Sequence, residues 1–180
     1  MYVAAATTFT IDPDHSSVLF RVDHLGYAKV VGLFLGFGGQ FSFDEANPAA
    51  SQVELVIEAT SVFTRQHDRD QHLRSPDFFN AQEFGQIRFV GTRIAMTGAR
   101  TGKLTGNLTL LGVTKPLTFE VTMNRVAPHP DPRKQVIVAG FSARGAVKRS
   151  EFGMTYGAPG IGDVVEIWLE IEGEAPLPGD

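Results

Sequence analysis

Ser17-Val18-Leu19-Phe20-Arg21-Val22-Asp23-His24 is the stretch that decides the fold, because its residues sort by parity. Side chains alternate along a strand, so Val18, Phe20, Val22 and His24 share one face while Leu19, Arg21 and Asp23 share the other. The alternation returns at Val53, Leu55, Ile57 and Ala59 against Glu54 and Glu58. It closes the chain at Val165, Ile167, Leu169 and Ile171 against Glu166, Glu170 and Glu172. An antiparallel sheet with one apolar face must bury it, and a sheet this long can do so by curling onto itself. Closure creates an interior, and an apolar interior suits a hydrophobic guest.

Working outward, the pattern predicts strands over 9–12, 17–24, 30–44, 52–60, 86–96, 103–111, 117–126, 135–148 and 164–175. Turn chemistry separates them at Asp12-Pro13-Asp14, Asn47-Pro48, Thr97-Gly98 and the proline-rich run from Pro128 to Pro132. Short turns favour sequential antiparallel neighbours, a meander. Around residues 65–84 the pattern changes. Asp68 and His72, then Asp70 and Arg74, stand four apart and would be neighbours on a helix. Ser75-Pro76 resembles an N-cap with proline in the first helical position, opening a second short turn through Phe78 and Phe79. Gly32, Gly36, Gly38 and Gly39 interrupt a phenylalanine-rich strand region. Interior glycines mark a bulge or bend, or else leave room for a ligand.

Composition narrows the function classes. A chain of 180 residues, 43% hydrophobic and 20% charged, reads as one globular domain over 1–180, frayed over 1–8. The formal charge of −4 and the lack of a basic stripe argue against a nucleic-acid partner. No apolar run approaches the about 20 residues of an integral membrane segment. Cysteine is absent, which removes disulfides, thiolate nucleophiles and thiolate metal sites. Val3-Ala4-Ala5-Ala6 has the small-residue composition found near a signal cleavage site; the alternative is a cytoplasmic protein with a frayed end.

The chemical constellations are sparse. His67 and His72 are five apart, so on a helix they face different ways, and no metal site is expected. Ser16 beside His15 is adjacency without a nucleophile elbow. Asp68 and Asp70 are flanked by arginines, which favours ion pairing over acid–base work, and no catalytic residue is expected. His24 continues the apolar face of Val18, Phe20 and Val22. It is either a polar group near one end of the lumen, able to bond a ligand head, or a histidine satisfied at the barrel rim. Phe20, Phe34, Phe37, Phe79, Phe89 and Phe119 are candidates for the interior, with plain packing as each one's default.

Several motifs, in order along nearly the whole chain, closely resemble the YceI-like family of lipocalin-shaped proteins. They are His24-Leu25-Gly26-Tyr27, Gly39-Gln40-Phe41-Ser42-Phe43-Asp44, Arg69-Asp70-x-His72-Leu73-Arg74-Ser75-x-Asp77-Phe78-Phe79, the run from Leu104 to Pro116, and Arg149-Ser150-x-Phe152-Gly153-Met154. The resemblance implies an all-β fold: an extended eight-stranded antiparallel lipocalin-like barrel with a short helical insert and an elongated hydrophobic tunnel. It implies binding of a polyisoprenoid or other long-chain lipid, such as a long-tailed quinone or a prenyl pyrophosphate. It also implies a homodimer, tilts the amino-terminal ambiguity toward the periplasm, and brings no cofactor beyond the lipid. Gly85 departs from the proline many relatives carry, which should affect a loop more than the pocket. Each buried methylene contributes about 0.8 kcal/mol, so tail burial should supply affinity while polar groups adjust head-group choice. The expected role is a noncatalytic binder or carrier lined by Val18, Phe20, Val22, His24, Phe34, Phe37, Phe79, Phe89 and Phe119. The alternatives are an enzyme that hydrolyses or isomerises an amphiphile in the same pocket, and a filled barrel acting as an interaction module.

Overall fold

Alternating side chains build eleven strands in the computed structural model, which describes residues 6–177. The strands are β1 (Thr7–Ile11), β2 (Ser17–His24), β3 (Ala28–Phe34), β4 (Phe37–Phe43), β5 (Val53–Glu58) and β6 (Val62–Phe63), followed by β7 (Gln86–Met96), β8 (Thr101–Leu110), β9 (Val113–Pro128), β10 (Val136–Lys148) and β11 (Ile161–Pro176). One helix, α1 (His67–Arg74), stands between β6 and β7. Hydrogen bonding runs in the order β1-β4-β5-β7-β8-β9-β10-β11, and β11 returns to β1 at Glu174 opposite Thr10. Those eight strands close an antiparallel barrel, so the expected architecture holds.

β2, β3 and β6 extend the wall at one end, here called the upper end, pairing in the order β11-β2-β3-β6. They continue β1, β4 and β5 beyond local breaks, which corrects the reading of 30–44 as one strand. Leu35 and Gly36 interrupt it: the Leu35 N–H donates to Ser61 O at 3.2 Å and the Glu58 N–H to Gly36 O at 2.8 Å. The reason is cooperative. Neighbouring strands share a ladder, so a break over 12–16, another at 35–36 and a third over 59–61 bend three paired strands together. Gly39 deepens the bend with a φ of +144°, and a Cβ placed there would overlap the Glu54 carbonyl oxygen, so no side chain fits.

The amino-terminal expectation needs a second correction. Residues 1–5, including Val3 to Ala5, lie outside the described residues, but Thr7 and Thr8 are paired with Phe43 and Ser42 rather than frayed. A strand seated in a ladder is tied down by its hydrogen bonds.

The helical insert falls where expected and packs on β6. Gln66 caps it, its side-chain oxygen accepting from the Arg69 N–H at 2.5 Å. Ser75 is the residue at its C-terminal cap, and its carbonyl accepts from the Phe78 and Asn80 N–H groups, which makes a turn rather than a second helix. The helix-face neighbours do not pair with each other. Asp70 is buried and accepts from Thr64 N at 2.8 Å and Thr64 Oγ1 at 2.5 Å, while Arg74 donates to the Thr60 and Val62 carbonyls at 2.7 and 3.0 Å. Backbone groups left over at the short β6 strand outcompete an exposed i,i+4 ion pair. On the outer wall Arg21 and Lys29 both bond Glu166, and the Arg21 hydrogen bond first, then that of Lys29, holds this carboxylate down at about 2.

Candidate functional site

The inward faces of the strands enclose two cavities stacked along the barrel. The upper one is about 280 Å³ and the lower about 140 Å³. A six-carbon ring occupies a dry cavity of about 150 Å³, so the upper chamber has room for about two isoprene units and the lower for about one. Leu55, Phe89, Phe119 and Leu169 line both chambers and form a collar between them.

Eight of the nine side chains predicted for the interior line the upper chamber: Val18, Phe20, Val22, His24, Phe34, Phe79, Phe89 and Phe119. Phe37 lines neither chamber. It opens β4 opposite Ile57, half-buried and packed against the core, which is the plain packing role that is any interior ring's default. Phe20, Phe34 and Phe79 form one aromatic group, with Phe79 edge-on to Phe34 at 5.4 Å and to Phe20 at 6.3 Å. Thus the insert contributes a ring that completes the wall.

Polar groups gather at the upper mouth. His24 is exposed there at the end of β2. Arg69 reaches back to Thr64, donating from Nε to Oγ1 at 2.7 Å and from Nη2 to the carbonyl at 2.8 Å. His72 Nε2 meets Asp77 Oδ2 at 2.7 Å, and the His72 ring lies edge-on to Tyr156 and Phe78 at 4.8 and 5.0 Å. Arg149 is 3% exposed, and its guanidinium donates to four backbone carbonyls: Gly162 at 2.8 Å, Met154 at 3.0 Å, Tyr156 at 2.9 Å and Ile161 at 2.9 Å. Burial pulls its pKa below the usual arginine value, against the opposing charge of Asp163. Met154, Tyr156 and Ile161 line the chamber, so this one side chain fixes part of its rim.

The lower chamber is walled by Phe41, Phe43 and Phe141, whose rings meet edge-on at 5.3 to 5.4 Å. Its outer end carries exposed Glu45, Met96 and Arg100, the last bonded to the Met123 and Asn124 carbonyls. Parity reasoning placed Leu55 and Leu169 on the apolar face without marking them as collar residues; their shared level appears only once the strand register is known. Arg69, His72 and Arg149 stood within the quoted motifs, but their positions at the mouth depend on loops that sequence periodicity does not address.

A separate titratable trio lies outside the bore at the break between β1 and β2. Ligand atoms of Asp12, His15 and Glu172 lie within 4.8 Å of one another, and His15 Nδ1 bonds Asp12 Oδ2 at 2.6 Å. That hydrogen bond lowers the Asp12 pKa and raises that of His15. Asp12 also accepts from the Asp14 N–H at 2.9 Å, so the pair fixes the turn.

The chain is similar to known proteins along most of its length. Residues 9–173 match the family model of the YceI-like domain. Protein YceI of Salmonella arizonae is 40% identical over 172 residues, which covers 94% of this chain and 88% of the relative. The crystal structure of BcnA from Burkholderia cenocepacia superposes with a TM-score of 0.81 at 23% identity, covering 90% of this chain and 98% of the other. A polyisoprenoid binding domain from Saccharophagus degradans superposes with a TM-score of 0.70 at 15% identity, covering 95% and 99% of the two chains. A family match over nearly all of the barrel, joined to a relative of this identity, makes the chain a member of the YceI-like family.

Proposed function

We propose that this protein binds an isoprenoid-tailed amphiphile, with the tail in the bore and the head at the upper mouth, and carries it intact rather than transforming it. The observation behind this reading is the division of labour within the barrel. Apolar side chains line the upper chamber, while His24, Arg69, His72 and Tyr156 stand at its rim. One isoprene unit moved out of water contributes on the order of 3 kcal/mol before ordering costs, so two units in the upper chamber supply about 6 of the roughly 8 kcal/mol that micromolar binding requires, and contacts of the head and of further tail supply the remainder. The family membership and the polyisoprenoid binding domain among its structural neighbours support the same ligand class. A tail longer than the resting chambers has to part the collar or leave by the lower end.

Two finer readings accompany it. A carrier of lipid is needed where water separates two membranes, which supports a periplasmic location; cell fractionation tests this, with recovery in the periplasmic fraction expected and recovery in the cytosol contradicting it. The partner is a second copy of the chain, seated on an outer row in which Trp168, Leu19, Leu33 and Phe63 lie opposite one another across β11, β2, β3 and β6. Light scattering of the wild type and of Leu33→Glu reads this directly: a dimer that becomes a monomer is expected, and a monomeric wild type would contradict it.

Titration with amphiphiles that vary tail and head separately tests the binding reading. Shortening the tail is expected to weaken binding more than changing the head, with the ligand recovered unaltered. The reverse order, or recovery of a converted product, would refute it.

A further inference from the structure

The turn between β2 and β3 is built against its own preferences. The Tyr27 N–H donates to the His24 carbonyl at 3.0 Å, and the central residues Leu25 and Gly26 have φ of +55° and +72°. A turn with both central residues left-handed favours asparagine, aspartate or glycine at the first of them, so a leucine there is strained. The side chain is also 56% exposed, and Tyr27 beside it is 88% exposed. Neither lines a chamber.

A second loop lies against this turn. The Leu25 N–H donates to the Gly160 carbonyl at 2.8 Å, and a Cβ on Gly160 would lie 2.7 Å from Leu25 Cδ2, so the two loops touch. From Thr155 to Gly162 the second loop carries no charged residue, and Thr155 through Pro159 are exposed. Tyr156 is half-exposed there and also lines the upper chamber. Charges near the two loops are engaged elsewhere. Asp23 Oδ2 accepts from the Gly26 N–H at 2.9 Å, Lys29 Nζ bonds Glu166 on the outer wall at 3.2 Å, and Asp163 accepts from the Ser150 N–H and Oγ at 2.9 Å. The result is an uncharged lip at one side of the upper mouth, joined to the chamber by Tyr156.

We propose that this lip docks on the surface of a neutral lipid bilayer, with Leu25 and Tyr27 entering the interface, so that a tail passes between membrane and chamber along Tyr156 without crossing open water. This rests on the lipid-carrier reading above and adds to it the place where cargo is exchanged. A second copy of the chain seated on the lip would cover the entrance, whereas a membrane there is the source of the cargo. Tyrosines suit the headgroup level, and a chain of formal charge −4 with no cation on its lip gains nothing from anionic lipid. Two side chains on a turn give weak attachment, which lets a loaded carrier leave.

Uptake of a four-unit prenyl alcohol from phosphatidylcholine vesicles, followed by flotation, tests the lip. The double variant Leu25→Asn/Tyr27→Thr is expected to take up the alcohol at least about tenfold more slowly than wild type, while its affinity for a two-unit alcohol in solution stays within about twofold. Asparagine suits the left-handed position, so the variant folds, and urea denaturation verifies it. In Tyr27→Trp, empty vesicles shift the fluorescence to shorter wavelength by more than they shift the wild type, whose lone Trp168 lies on the outer wall. Wild-type uptake by the double variant, or Tyr27→Trp emission unmoved by vesicles, overturns the lip while leaving the carrier reading intact. So does uptake that needs phosphatidylglycerol and vanishes at high salt, or a dimer lost in the double variant by light scattering, which assigns the lip to a second copy. Absence of binding of the two-unit alcohol in solution overturns both.

Discussion

Replacing Arg149 with methionine tests how the upper rim is held. The substitution keeps much of the side chain's length and removes the guanidinium, leaving the carbonyls of Met154, Tyr156, Ile161 and Gly162 without their donor. Hydrogen bonds to a charged donor are worth about 1.5 to 3 kcal/mol each, but removing the buried cation also recovers its desolvation cost. Tyr156 is 47% exposed, so water can reach part of the freed backbone. Allowing about 1 kcal/mol for each of the four carbonyls and rehydration of one of them gives a loss of about 3 kcal/mol. For a domain of this size that lowers Tm by about 6 to 12 °C. Lysine at the same position keeps a charge but lacks the planar fork, so Arg149→Lys falls between the two. Urea denaturation gives the stability, and prenyl-alcohol titration of the same samples gives the affinity, which should fall because Met154, Tyr156 and Ile161 no longer hold one shape. A methionine variant within about 1 kcal/mol of wild type, or a lysine variant equal to it, would refute the reasoning.

Two further predictions concern the insert and the outer turn. Phe79→Ala removes a half-buried ring edge-on to Phe34 and Phe20; it should cost about 2 kcal/mol in urea denaturation and admit bulkier tails, and unchanged ligand preference would show that Phe79 does not shape the chamber. His15 should titrate above its ordinary 6.5 by ring NMR because of Asp12, and Asp12→Asn should bring it back. The stabilisation by this raised group is fully present below 6.5 and lost as pH rises through its folded value; that of Asp12, lowered from 3.8, is present above 3.8 and lost as pH falls through its own folded value. An unshifted His15 midpoint would contradict the ion pair.

Much of this molecule is legible in its sequence where the physics is local. The 86–96 strand and the 17–24 strand appear with the predicted bounds, since alternation reports a half-buried strand directly. The break at Leu35-Gly36 is different, because nothing in that dipeptide announces that β1 and β5 are interrupted at the same level. The start of β9 differs too: the pattern opens a strand at 117, yet β9 begins at Val113 and holds Pro116 opposite Asn107. The collar is invisible for a related reason. Leu55, Phe89, Phe119 and Leu169 come from four strands, and only the register brings them to one height. Gly106 and Gly145 carry no local signal that a side chain there would strike the Phe89 and Phe119 rings, since those rings belong to neighbouring strands.

The central claim is that the bore is hollow and receives a tail. A crystal structure of the protein grown with a two-unit prenyl alcohol tests it most directly. The account predicts continuous ligand density in the upper chamber, with the tail between Phe20, Phe34 and Phe79 and its end against the Phe89–Phe119 collar. A bore filled by the protein's own rings, with the alcohol absent or bound only on the outer wall, would contradict it.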